Sequence, residues 1–322
     1  MSETRPRVLA TRRYPPEIEA RLEREFQATL NETDRILSPD ELVASCREHD
    51  AVLCCPSERF SREVLEQVTG SIGIVATLSV GYEHIDVPAA RDVGIVVTYT
   101  PDVLTDATAD TAMLCILAAA RRGAECDRFV RSGRWDRWHT MLMLGIHVSG
   151  KRLGILGMGR IGRALARRAR GFDMEVHYHN RRRLPADQEQ GATFHADPAE
   201  LLAVSDFFSI NCPSTPETVK FLDAERIEML PAGAIVVNTA RGNIVDDEAL
   251  VAALRSGRVA AAGLDVFDNE PNLHPGYLDL ENAFLLPHVG SATHETRMAM
   301  GATCLDNLAA FFAGRPCPQA LT

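Results

Sequence analysis

The sequence predicts an α/β protein built from two doubly wound parallel sheets, and three observations carry that prediction. Short apolar, β-branched runs alternate with longer helical stretches along the chain. The alternation falls into two series, separated by one Ala-, Leu- and Met-rich stretch at 102–122. Only the second series has a glycine-rich turn between a strand and a helix. At 322 residues the chain is long enough for about two domains.

The first series gives expected strands at 7–10, 51–54, 72–77 and 94–99, with helices at 16–26 and 38–47 between them. Residues 102–122 follow a proline, stop near Gly123, and are expected to form a linking helix. The second series gives strands at 153–156, 175–179, 207–210, 234–238, 262–266 and 284–286, with a helix at 160–170 after the first. Six strands is the number in a complete dinucleotide-binding sheet of the Rossmann type. Beyond 286 only a helical segment at 292–312 remains, and it is expected to pack back on the first domain and make that domain discontinuous.

Composition narrows the function classes. Hydrophobic residues make up 46% and charged residues 24%, which excludes a disordered chain. Lys and Arg number 34 against 44 Asp and Glu, a net charge of −10, so the basic excess that drives general nucleic-acid binding is missing. Eight cysteines without a C-x-x-C pair read as reduced thiols. The N-terminus lacks the apolar core of a signal peptide, and no apolar run approaches the ~20 residues of a membrane span. The expected setting is the cytoplasm, away from membranes.

Gly157-Met158-Gly159-Arg160-Ile161-Gly162 fits G-x-G-x-x-G directly after a strand and at the start of a helix. The first glycine allows the tight turn, the second admits a pyrophosphate, and the third lets helix and strand pack closely. The amides and dipole of the helix N-terminus favour the phosphates. At the end of the second strand NAD enzymes place a carboxylate, but this chain reads His179-Asn180-Arg181-Arg182-Arg183. Guanidinium groups there suit the 2′-phosphate of NADP, with Asn180, Arg181 and Arg182 as the expected contacts. NADPH is therefore the expected cofactor, with NADH still admitted.

Arg241, Glu270 and His288 each stand just past the carboxyl end of a different expected strand, the rim where open α/β sheets bind ligands. Reducing a 2-oxo acid with hydride leaves an alkoxide that needs a proton, and histidine donates near neutral pH. A carboxylate beside it favours the imidazolium, and an arginine fork fits the substrate carboxylate. Taken singly, each residue also reads as an ordinary ion pair, turn or core histidine. Convergence on one rim is what favours the catalytic reading. His177 and His179 share a strand face, but no third ligand is at hand, so no metal is expected.

These residues resemble the D-isomer-specific 2-hydroxyacid dehydrogenases, and within them the glyoxylate/hydroxypyruvate reductase-like branch. The resemblance rests on LSVGYEHID (78–86), TPDVLTDATADTAMLCILAAARR (100–122), GKRLGILGMGRIG (150–162), VNTARGNIVDDEALVAAL (237–254), AAGLDVFDNEP (261–271) and LPHVGSATHETR (286–297). It implies a discontinuous, flavodoxin-like substrate-binding domain at 1–99 and 290–322, and a six-stranded dinucleotide-binding Rossmann domain at 100–289.

The resemblance further implies that backbone amides at Val80 and Gly81 cradle the substrate carboxylate. Thr108, Cys212, Ala240, Asp265 and Gly290 would border the cofactor, with Asp265 on the nicotinamide carboxamide. Asp265 also ends an apolar strand, where a charge needs a polar partner. A homodimer is implied too, with Trp138 reaching the neighbour's substrate site, while by residue type Trp135 and Trp138 read as interface or core anchors. The expected activity is NADPH-dependent reduction of glyoxylate or hydroxypyruvate to a D-2-hydroxy acid with His288 as proton donor. Two alternatives stay open: a dehydrogenase for a bulkier 2-oxo acid, and a dinucleotide-sensing, corepressor-like interaction protein.

Overall fold

The structure is a computed structural model and describes residues 5–322. It divides into two compact units: one runs to Leu104 and resumes at Ser291–Thr322, and the other spans Thr105–Gly290. In chain order the first unit holds β1 (Arg7–Ala10), α1 (Pro16–Glu25), β2 (Gln27–Leu30), α2 (Pro39–Arg47) and β3 (Ala51–Cys54). It continues with α3 (Arg62–Gln67), β4 (Ile74–Thr77), α4 (Val87–Asp92) and β5 (Val96–Thr98). The second unit begins with α5 (Thr105–Ala120), α6 (Gly123–Arg131), β6 (Arg152–Leu156), α7 (Arg160–Arg170) and β7 (Glu175–His179). Next come α8 (Ala186–Glu189), β8 (Thr193–Phe194), α9 (Pro198–Val204), β9 (Phe207–Ile210), α10 (Ala224–Met229) and β10 (Ala234–Asn238). It ends with α11 (Asp247–Ser256), β11 (Val259–Leu264) and β12 (Ala283–Leu285), after which α12 (His294–Phe312) returns to the first unit.

The first sheet is wholly parallel in the order β2-β1-β3-β4-β5, the flavodoxin-like order. β3 and β4 are buried along their whole length because helices cover both faces. Helix α2 opens on a capping box in which Ser38 and Glu41 bond each other's backbone amides. Helix α12 packs on α1 and β4, with the rings of Phe26 and Phe312 5.9 Å apart.

The second sheet is also parallel, in the order β12-β11-β10-β9-β6-β7-β8. Successive side chains on its strands point to opposite faces. Ile155, Phe207 and Ile235 therefore join one apolar core with Ala112 and Ile116 of α5, while Leu156, Phe208 and Val236 join the other with Leu250 and Leu254 of α11. The expected count of six strands is corrected to seven. The strand left out is β8, a two-residue edge pairing Thr193 with His177 and Phe194 with Tyr178, too short to show an apolar run. β8 is the third strand of the Rossmann order, so the sixth strand expected from sequence, β12, is an additional edge. In the first sheet β2 was likewise not foreseen, because Gln27–Leu30 is an edge strand without a fully buried residue.

Candidate active site

The order of the second sheet reverses between β6 and β9, and at that switch point the glycine turn leaves the carboxyl end of β6. Gly157 has φ +96°, and a Cβ on it would lie 2.6 Å from the amide nitrogen of Cys212, which follows β9. Only glycine fits there. Gly159 caps α7 with no side chain, and a Cβ on it would meet nothing within 4 Å; Arg160 and Ile161 follow it in the first turn of the helix. Gly162 backs onto the Gly157 carbonyl. Uncapped helix amides beside an open glycine turn fit a pyrophosphate.

Past β7, Asn180 does more than the sequence suggested: its Oδ1 accepts the Met158 amide at 2.7 Å and so braces the glycine turn. Arg183 forms a two-pronged pair with Glu189 at 2.8 and 3.0 Å, and Tyr178 donates to the same carboxylate at 2.6 Å. That pair holds the Glu189 carboxyl down at about 2. Arg181 and Arg182 stay exposed at the end of the strand.

Thr108, Asp265 and Gly290 come together, since a Cβ on Gly290 would stand 3.0 Å from Asp265 Oδ2 and 3.4 Å from Thr108 Cγ2. Asp265 is almost fully buried, and burial pushes its carboxyl above the ordinary aspartate value against two opposing amide bonds. The polar partner expected for this charge is present within the chain, so burial of Asp265 by itself does not call for a cofactor. Val289 N donates to Oδ1 at 2.7 Å and Gly290 N to Oδ2 at 2.8 Å, so the protein itself supplies the partners. Asp265 O also accepts the His288 amide at 2.8 Å, and His288 sits at φ +54°. Asp265 thus braces the backbone on both sides of an unusual turn.

Arg241 lies in the loop after β10. The buried Asn238 side chain spans that loop, donating from Nδ2 to Arg241 O at 2.8 Å and accepting Ala240 N at 3.0 Å. Arg241 Nη1 turns back to the Ala240 carbonyl at 2.7 Å. Glu270 Oε1 is bonded to His288 Nδ1, and Glu270 Oε2 accepts the Phe267 amide at 3.2 Å. Burial works against the Glu270 charge, but the bond to His288 and its charge outweigh it. With the Phe267 amide and the Arg241 guanidinium they hold the carboxyl below the ordinary glutamate value. The structure therefore brings Arg241, Glu270 and His288 together on one rim of the second sheet.

The remaining expected residues lie elsewhere. Val80 and Gly81 are on the loop that follows β4 in the first unit. Trp138 lies in an irregular stretch after α6, and Trp135 and Trp138 are 54% and 75% exposed, which removes the reading of core anchors. Sequence reasoning missed Asn238 and also His195, whose Nε2 meets His177 Nδ1 at 3.0 Å and whose carbonyl takes His179 Nδ1 at 2.9 Å. Among the described residues no three His, Cys, Asp or Glu side chains are arranged to hold a metal. No helix among them is long and apolar enough to cross a membrane.

Fold and site together have the form of a dinucleotide-dependent oxidoreductase. The family model for the NAD binding domain of D-isomer specific 2-hydroxyacid dehydrogenases matches residues 113–290. A glycerate dehydrogenase from Hyphomicrobium methylovorum is 41% identical over 320 residues, covering 99% of both chains. A glyoxylate reductase from Thermococcus onnurineus is 44% identical over 319 residues, covering 98% of this chain and 95% of that one. Among solved structures, an NADPH-dependent glyoxylate/hydroxypyruvate reductase from Sinorhizobium meliloti, in complex with NADP and malonate, superposes with a TM-score of 0.89 at 34% identity, covering 99% and 97% of the two chains. The chain belongs to the D-isomer-specific 2-hydroxyacid dehydrogenase family, and it is an enzyme of that kind with a nicotinamide dinucleotide as cofactor.

Proposed function

We propose that this enzyme reduces small 2-oxo acids, glyoxylate and hydroxypyruvate, to D-2-hydroxy acids, with NADPH as the preferred reductant. The observation that carries the reading is the Glu270–His288 pair beside Arg241. An ionised carboxylate only accepts, so Nδ1 of His288 donates to Glu270 and Nε2 is the nitrogen left for the substrate oxygen. A bound reduced nicotinamide supplies the hydride. Arg241 holds the substrate carboxylate and polarises the carbonyl, and His288 Nε2 gives its proton to the oxygen that gains charge as hydride arrives. Glu270 offsets the imidazolium charge before that proton leaves. To Val80 and Gly81 we assign backbone amides for the substrate carboxylate.

Cofactor preference rests on Arg181 and Arg182, exposed where the strand ends in Asn180 rather than a carboxylate. Arg183 is committed to Glu189. Thr108, Asp265 and Gly290 are assigned to the nicotinamide end, and Cys212 and Ala240 to the approach from the glycine turn. Support for a second subunit comes from Val130, Trp135, Trp138, Met141 and Leu144, large apolar side chains exposed along one stretch of the second unit. A second copy of the chain is the expected cover, and light scattering on the purified protein tests for a dimer.

The test of function is a steady-state panel of 2-oxo acids with NADPH and NADH. Fastest turnover of glyoxylate or hydroxypyruvate with NADPH supports the proposal. Turnover confined to bulkier acids contradicts the substrate, and negligible turnover with tight dinucleotide binding contradicts the activity.

A further inference from the structure

We infer that Asn238 and Gly242 are positioning residues that set Arg241 against the Glu270–His288 pair. The inference rests on the proposed role of Arg241 and adds two residues to which no role has been assigned. Asn238 is the last residue of β10, 1% exposed, so its place is fixed by the strand. Both ends of its amide are spent on the next turn, one on Ala240 N and one on Arg241 O. An aliphatic side chain would fill the same space in an apolar strand yet leave Ala240 N without its partner and Arg241 O with only the Ile244 amide at 3.3 Å.

Gly242 supplies the second constraint. A Cβ there would stand 1.8 Å from the carbonyl carbon of Phe267 and 2.1 Å from Asp268 N. These are backbone atoms of the loop that ends in Glu270, and Phe267 N itself bonds Glu270 Oε2. The loop bearing Arg241 therefore lies directly against the loop bearing Glu270, with no side chain between them. Asn238 sets the conformation of the Arg241 peptide and Gly242 sets its distance from the carboxylate side of the site. Neither touches substrate; each acts through Arg241.

The test compares Asn238→Ala and Gly242→Ala with wild type, each alone and combined with Arg241→Ala. With Asn238→Ala, KM for glyoxylate is expected to rise about tenfold or more, several-fold more than KM for NADPH, while the pH profile of turnover stays unchanged. The rise should vanish in the Arg241→Ala background, because residues acting through one group are not additive. Hydrogen exchange over residues 239–244 should also quicken. An unchanged KM, equal loss for both substrates, or an effect undiminished in the Arg241→Ala background overturns the inference.

If Asn238→Ala does not fold, Gly242→Ala is read by the same criteria. If both fail, Asn238→Ser decides by them. If wild type turns over no 2-oxo acid, the proposed function has failed, and exchange alone decides: faster exchange at 239–244 supports positioning, and unchanged exchange overturns it.

Discussion

Glu270 and His288 meet through Oε1 and Nδ1, so one ring nitrogen of the histidine is spoken for within the protein and the other is left for chemistry. The pair joins the loops after β11 and β12, and Arg241 completes it from the loop after β10. The proposed proton donor, its counter-charge and the proposed anion-binding fork are thus carried by three neighbouring strand ends rather than by one continuous motif.

This relationship has a pH signature. Glu270 ionises below its ordinary value, so it contributes stability that is present above about pH 4.3, its unfolded value, and is lost as pH falls through the lower folded value. The difference in Tm between wild type and Glu270→Gln should shrink on acidification below about pH 4.3, as the carboxylate takes up its proton. A difference that widens in acid contradicts the ionised pair.

Gly157→Ala combines a forbidden backbone conformation with a clash against Cys212. Relieving the clash must shift the turn from the conformation that admits a pyrophosphate, so dinucleotide affinity should fall by about tenfold or more while the chain stays folded. Fluorescence titration of the reduced dinucleotide, with circular dichroism as the folding control, measures it.

Replacing Arg181 and Arg182 together by Ala should raise KM for NADPH by about tenfold or more and leave KM for NADH nearly unchanged. Arg183→Ala instead breaks the pair with Glu189 and should lower thermal stability. Equal effects of the double variant on both dinucleotides contradict an arginine role at the 2′-phosphate.

Asp265→Asn places an NH2 group against one of two backbone amides that now donate to a carboxylate. An unmet donor of this kind costs about 1–3 kcal/mol, and the loss falls on the backbone that holds His288 at φ +54°. Both Tm and kcat should drop. Unchanged kcat would show that the Asp265 brace is not needed for catalysis.

Much of this architecture was legible in the sequence because fully covered parallel strands are unbroken apolar runs. Ala51–Cys54, Phe207–Ile210 and Ala234–Asn238 were placed to the residue for that reason. Edge strands escaped: Gln27–Leu30 exposes half its length, and Thr193–Phe194 is shorter than any periodicity. At the site, Arg241, Glu270 and His288 could be named because each is a chemically distinctive residue at a strand end. Asn238 and Gly242 could not, since their importance lies in what their backbone neighbours need and in how closely two loops approach. For Asp265 the expectation of a polar partner is met, but the partners are backbone amides, which leave no side-chain signal in the sequence.

The most direct measurement is single-turnover oxidation of bound NADPH by glyoxylate in wild type and His288→Ala, with NADPH affinity determined in parallel. In His288→Ala the reduction step should be slowed by about 10²–10⁴-fold with NADPH affinity unchanged. A step as fast as wild type in the variant would contradict the assignment of the proton donor and the site built around it.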